Sequence, residues 1–309
     1  MGRTRRIPYR AVGAARALQA RTRGIRTLRT LEDVDAVLDE AAVAFLRSNA
    51  EALALLSTVR YAGPTIGHRD PHSAGYREAQ MELYRSLSGR DGYDAASAEV
   101  SELESSASPR NLYPYSTGQP QTVGEQLEAA GAVLQALGDL QGRRIVEYGP
   151  GWGLLTIQLA LSGFDVSAVD LNPAMLDVID RQAGRVEVEV STVAADMLTF
   201  APDRPVDAAV FFESFHHCFE FPTLLDRLRS DVVAPHGRVL LVGEPISHQA
   251  LPWGLRLDGL SLWSVRREGW MELGFAVPFF FELAARHGWR AERRRGRGRL
   301  TDMWVLTRV

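Results

Sequence analysis

Two neighbouring stretches decide the fold: Arg143-Arg-Ile-Val-Glu147-Tyr-Gly149-Pro-Gly151-Trp-Gly153, and Asp165-Val-Ser-Ala-Val-Asp170 a little further on. A short apolar run ends in an acid, Glu147. A loop with glycine at alternate positions follows, and a second apolar run ends in Asp170. The pattern reads as strand, backbone-exposed turn, helix and strand, with a carboxylate at the tip of the second strand. An open α/β sheet holds a nucleoside-like ligand in this way.

The spacing inside the loop narrows the ligand. A dinucleotide fingerprint needs Gly-x-Gly-x-x-Gly, and here Leu154 stands at the third glycine position, with Gly153 one residue early. No Gly-Lys-Ser/Thr occurs, so the Walker phosphate loop is absent as well. What remains, Glu147-x-Gly149-x-Gly151-x-Gly153, lets an uncharged or cationic ligand lie against the backbone.

From Arg143 onward the chain alternates. Strands are expected at 144–148, 165–170, 186–193, 207–212 and 238–243, and helices at 153–162, 173–182 and 221–232. Such alternation implies a parallel sheet with helices on both faces. A stretch over 245–277, containing Trp253, Trp263 and Trp270, interrupts it. A helix (278–287) and two closing strands (289–293, 302–307) follow and fit a hairpin at the sheet's edge. Upstream, residues 1–30 form a basic leader that the sequence leaves free to be disordered, with nine arginines and no acid in the first 31 positions. Residues 31–120 read as a helical cap. Thr30 starts a helix whose apolar face is Val34, Val37, Leu38, Val43, Phe45 and Leu46, and further helices are expected near 76–87, 95–103 and 122–137.

Composition excludes several classes. Of the 309 residues, 46% are hydrophobic and 24% charged, which is ordinary for a globular protein. A net charge of −3 gives no global attraction to nucleic acid. A single cysteine, Cys218, excludes an intrachain disulfide framework and a multi-cysteine zinc site, and fits a reducing, cytoplasmic setting. No apolar stretch has membrane-spanning length, and the start does not read as a secretory signal. All the basic side chains are arginine, so a single arginine carries little functional weight.

The stretch Val146–Gly153 resembles the first motif of class I S-adenosylmethionine-dependent methyltransferases, and other pieces match in order over about residues 120–309. The resemblance implies an α/β, Rossmann-like, seven-stranded, mostly parallel sheet. It has helices on both faces, a helical N-terminal cap and a lid insert at 245–277 after strand five, within a domain spanning 121–309. It implies a cofactor site of Glu147, Gly149, Gly151, Gly153, Asp170, Leu171, Asp196 and Met197. Asp170 would meet the ribose hydroxyls, Asp196 the adenine amine, and Met197 the ring. Tyr115, in the loop Tyr113-Pro-Tyr-Ser-Thr117, would add a hydroxyl to the cofactor or substrate. The cofactor is a cationic sulfonium without phosphate, and carboxylates suit it where they would repel a pyrophosphate.

Glu213-Ser-Phe-His216-His217-Cys218 falls at the carboxyl end of strand four, the edge that faces the crevice of a parallel sheet. His217, and next to it His216, are the general-base candidates, because imidazole can take a proton from a hydroxyl near neutrality. Glu213 and Glu244 complete the expected catalytic group. Glu244 is placed to orient a histidine, bind a polar substrate or help hold a metal. A divalent metal is the second reading, since no Asp-rich or paired-carboxylate motif accompanies the histidines. The fourth-strand motif also lacks the Asn/Asp-Pro-Pro-aromatic signature of base-methylating enzymes, which disfavours a nucleic-acid target.

The expected reaction is methylation of an oxygen on a small molecule, of saccharide or secondary-metabolite type. The alternatives are carbon or nitrogen methylation on the same scaffold, or a non-catalytic binding protein built on the cofactor fold. A homo-oligomer is compatible with the sequence.

Overall fold

The computed structural model describes residues 24–100 and 120–309, apart from positions 65, 68, 69, 139, 141 and 250. Within the span expected as a basic leader, Arg26–Leu28 form a strand, β1, paired in parallel with β2 (Val59–Tyr61). Between them lie α1 (Leu31–Arg47) and α2 (Asn49–Leu56). Thr30 starts α1 as expected. Its hydroxyl accepts from the Asp33 N–H at 3.1 Å, and the Asp33 carboxylate accepts from the Thr30 N–H at 3.2 Å. This reciprocal box satisfies two backbone donors at the helix start. Val34, Val37, Leu38 and Phe45 face inward, whereas Val43 and Leu46 of the expected apolar face are exposed. α3 (Ala74–Ser88) and the short α4 (Ala95–Ala98) complete the described cap. The helix expected over 95–103 ends at Ala98, and positions 101–103, with Tyr115 and its loop, lie outside the described residues.

The alternating region then builds the main sheet. α5 (Pro120–Leu137) precedes β3 (Arg144–Tyr148), α6 (Leu154–Leu161), β4 (Asp165–Asp170) and α7 (Pro173–Arg185). β5 (Ser191–Ala194), β6 (Val206–Phe212), α8 (Phe221–Arg227) and β7 (Val233–Val242) follow. After the insert, with strands β8 (Ile246–Ser247), β9 (Trp253–Leu255) and β10 (Leu273–Ala276) around α9 (Gly259–Trp263), come α10 (Val277–Arg286), β11 (Trp289–Arg294) and β12 (Met303–Arg308). Among the described residues the sheet has seven strands in the order β11-β12-β7-β6-β3-β4-β5. β3 to β7 are parallel, and β12 runs antiparallel to both β7 and β11. The fold is therefore the Rossmann-like α/β sheet expected, with the closing hairpin adding β12 next to β7.

One element needs correction. The strand expected over 186–193 pairs only from Ser191. α7 runs on to Arg185, Glu187 takes φ +55°, and the Val188 N–H bonds back to the Ala183 carbonyl at 3.1 Å. Val188 and Val190 alternate with glutamates because they pack on the sheet's core from a helix-exit loop, and this imitates a strand's period.

The insert forms a three-stranded sheet, β8-β10-β9, and its core is shared with the cap. Trp253 and Trp263 are buried. The Tyr76 hydroxyl donates to the Trp253 carbonyl (2.6 Å), the Tyr84 hydroxyl donates to the Gly269 carbonyl (2.5 Å), and Arg266 pairs with Asp35 (2.6 Å). These two tryptophans therefore hold insert and cap together. Among the described residues, no helix is long and apolar enough to cross a membrane.

The chain starts the sheet at β3, builds outward through β4 and β5, then crosses back to place β6 on β3's other side. The crevice at this switch point is where open α/β sheets take ligands. Its two walls touch. Gly149, at φ +63°, lies so close to Ser214 that a Cβ there would come within 2.7 Å of the Ser214 Cβ. The Ser214 hydroxyl donates to the Tyr148 carbonyl at 2.6 Å. Replacing Gly149 by Ala combines a left-handed backbone with a backbone-anchored clash. It should lower stability by about 2–3 kcal/mol, measured as a fall in the urea midpoint. An unchanged midpoint would show that the loop relaxes freely.

Candidate active site

The carboxyl edge of the sheet gathers most of the residues singled out from sequence. Glu147, last but one in β3, is buried and accepts a 2.5 Å hydrogen bond from the Thr156 hydroxyl of α6. The loop between them carries Gly149, Gly151 and Gly153 at φ +63°, +55° and +76°. Each adopts the left-handed region that a side chain disfavours. Gly153 opens α6, packed so closely on α7 that a Cβ would meet Ile179 at 2.7 Å. Asp170 ends β4. One of its oxygens accepts from the Asn172 N–H (2.8 Å), while Asn172 caps α7 through the Ala174 N–H (3.1 Å). The chain beyond β5 comes back to this point, since the Ala195 N–H donates to the Asp170 carbonyl at 3.1 Å. Asp196 and Met197 follow directly, half-buried, and Asp196 turns the loop by accepting from the Leu198 N–H at 2.7 Å. Leu171 is also half-buried beside Asp170.

The second half of the site comes from the ends of β6 and β7. Glu213 continues β6, its N–H bonding to the Val242 carbonyl at 2.9 Å, but takes φ +53°, rare for a residue with a side chain. This twist turns the chain into a tight turn, Phe215–His217. Glu244, just beyond β7, holds that turn. Its carboxylate accepts from the backbone N–H groups of Ser214 (2.8 Å), Phe215 (2.9 Å) and His216 (3.2 Å), and from His216 Nδ1 at 2.7 Å. Of the roles open to Glu244, orienting a histidine is the one its contacts carry.

The two histidines differ. The His216 side chain is 2% exposed and sits between Glu244 and Glu272, whose Oε2 lies 3.8 Å from Nε2. The His217 side chain is 16% exposed, and its Nδ1 lies 3.3 Å from Glu99 Oε2. Trp270 presents its ring edge-on to His217, 6.0 Å between centroids. Glu99 and Glu272 are the members that sequence reasoning missed. Glu99 lies at the end of α4, where Tyr93 donates to Oε1 (2.8 Å) and the Met271 N–H does the same (2.8 Å). Glu272 comes from the insert and also meets Arg256 at 3.3 Å. Neither stands in a motif; only the folding of cap and insert onto the sheet edge brings them in.

Burial dominates the electrostatics. It pushes the Glu99 carboxyl up to about 8, against the lowering effect of the Met271 N–H and the Tyr93 hydroxyl; the nearby Glu272 and Asp170 carboxylates add to the rise. It pushes Glu244 up to about 7, with the Phe215 and Ser214 N–H groups pulling the other way. The buried Cys218 thiol is held well above its usual range by desolvation. Both carboxyls bind their protons more tightly in the folded state than unfolded. Their contribution to stability is therefore complete below about 4.5 and is lost as pH rises through about 7 and 8. Urea midpoints recorded from pH 5 to 9 should fall across that window. The profile of Glu99→Gln should be flatter than wild type, and equal slopes for the two proteins would remove Glu99 as a source of the effect.

Known proteins resemble part of this chain. Residues 145–237 match the family described as a methyltransferase domain. A ubiquinone biosynthesis O-methyltransferase of Alkalilimnicola ehrlichii is 33% identical over 110 residues, 35% of this chain and 44% of the relative. A magnesium-protoporphyrin O-methyltransferase of Rhodobacter capsulatus is 39% identical over 80 residues, 25% of this chain and 36% of the relative. The chain spans about half the length, or less, of the curated relatives it matches. Among solved structures, magnesium protoporphyrin IX methyltransferase from Synechocystis PCC 6803 with bound SAM aligns with a TM-score of 0.48 and 15% identity. That alignment covers 70% of this chain and 97% of the other.

Proposed function

We propose that the chain is a class I, S-adenosylmethionine-dependent methyltransferase that transfers the methyl group to an oxygen of a small molecule of saccharide or secondary-metabolite type, in a cytoplasmic setting; the match of residues 145–237 to a methyltransferase domain supports this reading. The observation that carries this reading is the meeting, at one sheet edge, of the glycine loop and Asp170 with the Glu244-held His216–His217 turn. The cofactor would lie over Gly149–Gly153, its ribose hydroxyls toward Asp170 and its adenine between Asp196 and Met197. Glu147 holds α6 in place through Thr156 and adds negative charge beneath the sulfonium.

Transfer is an in-line displacement: an acceptor oxygen attacks the methyl carbon, and the bond from carbon to the sulfonium sulfur breaks. Holding the acceptor in near-attack geometry supplies much of the acceleration. The proton released from the hydroxyl goes to His217. The greater exposure of its side chain, 16% against 2%, and the Glu99 oxygen 3.3 Å from Nδ1 favour His217 over the enclosed His216. Trp270, beside His217, walls the acceptor. The buried, desolvated Cys218 supports a route without a cysteine nucleophile.

Two substitutions test the assignments. Asp170→Ala should weaken S-adenosylmethionine binding about 10-fold or more in calorimetry, the loss of a charge-assisted hydrogen bond; equal affinity would place the ribose elsewhere. His217→Ala should lower kcat about 10²–10⁴-fold with cofactor affinity kept. Turnover at the wild-type rate, once an acceptor is found by product analysis, would remove it as the base.

A further inference from the structure

We propose that His216, His217 and Glu272 bind a divalent transition-metal ion, and that this ion sits at the acceptor end of the crevice. One ligand atom from each of the three side chains lies within 4.8 Å of the others. Two atoms that each coordinate one ion at about 2.1 Å can be no more than about 4.2 Å apart. His216 Nε2 and Glu272 Oε2, at 3.8 Å, already meet that limit. The 4.8 Å separation exceeds that limit by about 0.6 Å, which side-chain rotation would have to supply for the third ligand.

The surroundings have the form that metal-binding histidines require. A ligating imidazole gives its other nitrogen to a carboxylate or carbonyl, which fixes the ring and raises its basicity. His216 Nδ1 does this with Glu244 at 2.7 Å, turning Nε2 toward Glu272. Glu244 is itself fixed by three backbone N–H groups, so the support is rigid. Glu99 supplies a comparable outer carboxylate beside His217. The imidazole rings lie 4.3 Å apart at an interplanar angle of 34°.

Glu272 also meets the Arg256 guanidinium at 3.3 Å, and Arg256 has Asp258 at 2.9 Å. Two imidazoles with a carboxylate suit zinc- or iron-like ions rather than magnesium, which prefers oxygen ligands and retained waters. A hydroxyl bound to such an ion loses its proton more easily. In the loaded protein His217 would be a ligand and the acceptor's proton would pass to solvent water, so the base role given to His217 above would hold for the metal-free protein. The binding inference itself does not depend on the identity of the acceptor.

Full-length, tag-free protein stripped by chelator should take up about one equivalent of zinc in calorimetry. With cobalt it should show the visible bands of a low-symmetry site. Glu272→Gln and His216→Ala should each weaken zinc binding about 10-fold or more. No saturable zinc binding below millimolar concentration, or wild-type affinity in both variants, overturns the proposal. If a variant fails to fold, judged by circular dichroism, X-ray absorption of the zinc-loaded wild type decides. Two imidazole ligands are expected, and fewer than two overturn it. S-adenosylmethionine is titrated into the same samples. Cofactor binding without zinc binding counts against the metal alone, whereas zinc binding without cofactor binding counts against the methyl-transfer reading alone.

Discussion

The Glu244 carboxylate is the constraint on which the site depends. Four donors converge on it: three consecutive backbone N–H groups of the turn after β6, and one imidazole nitrogen. A side chain so enclosed is costly to bury, and these charge-assisted hydrogen bonds offset part of the desolvation. The same bonds lock the turn. They set the orientation of His216, place His217 at the crevice, and press Ser214 against Gly149. The left-handed backbone of Glu213 is held in place by this arrangement, since its N–H continues the ladder to β7 while its φ angle turns the chain away from it. Strain of this kind persists where neighbouring bonds over-determine it.

The sequence made half of this legible. The glycine loop, Asp170 and the order of strands and helices are local patterns, and each is written in a few adjacent residues. The turn after β6 was equally visible, because its two histidines and Glu213 are neighbours. The third strand misled because Val188 and Val190 alternate with glutamates for a reason other than pairing, the covering of a core from a loop. Glu99 and Glu272 could not be read at all. Each is an ordinary acid in its own segment, and the charge it adds to the site arises only when cap and insert fold onto the sheet. The paired carboxylates that seemed missing beside the histidines are supplied by these distant segments.

The cap and insert also account for what distinguishes this chain from its bare sheet. β3 to β7 and their helices form the crevice, and the insert's sheet, β8-β10-β9, and the cap add Trp270, Glu272 and Glu99 around one histidine pair. Under the proposed function, acceptor selectivity would be set by these two additions, and cofactor binding by the sheet.

The shared core has a kinetic consequence. Trp253 packs against Tyr76 and Phe221, and Trp263 against Phe45, so both are buried between insert and cap. Peeling the insert away would expose both indoles, at about 4–6 kcal/mol each for 150–250 Å² of surface. At about 1.4 kcal/mol per factor of ten, roughly 10 kcal/mol leaves about one molecule in ten million open. Turnover at ordinary enzymatic rates of about 1–10³ s⁻¹ would not pass through so rare a state unless opening and closing were extremely fast. Motion of the insert that leaves both tryptophans in place would avoid that cost.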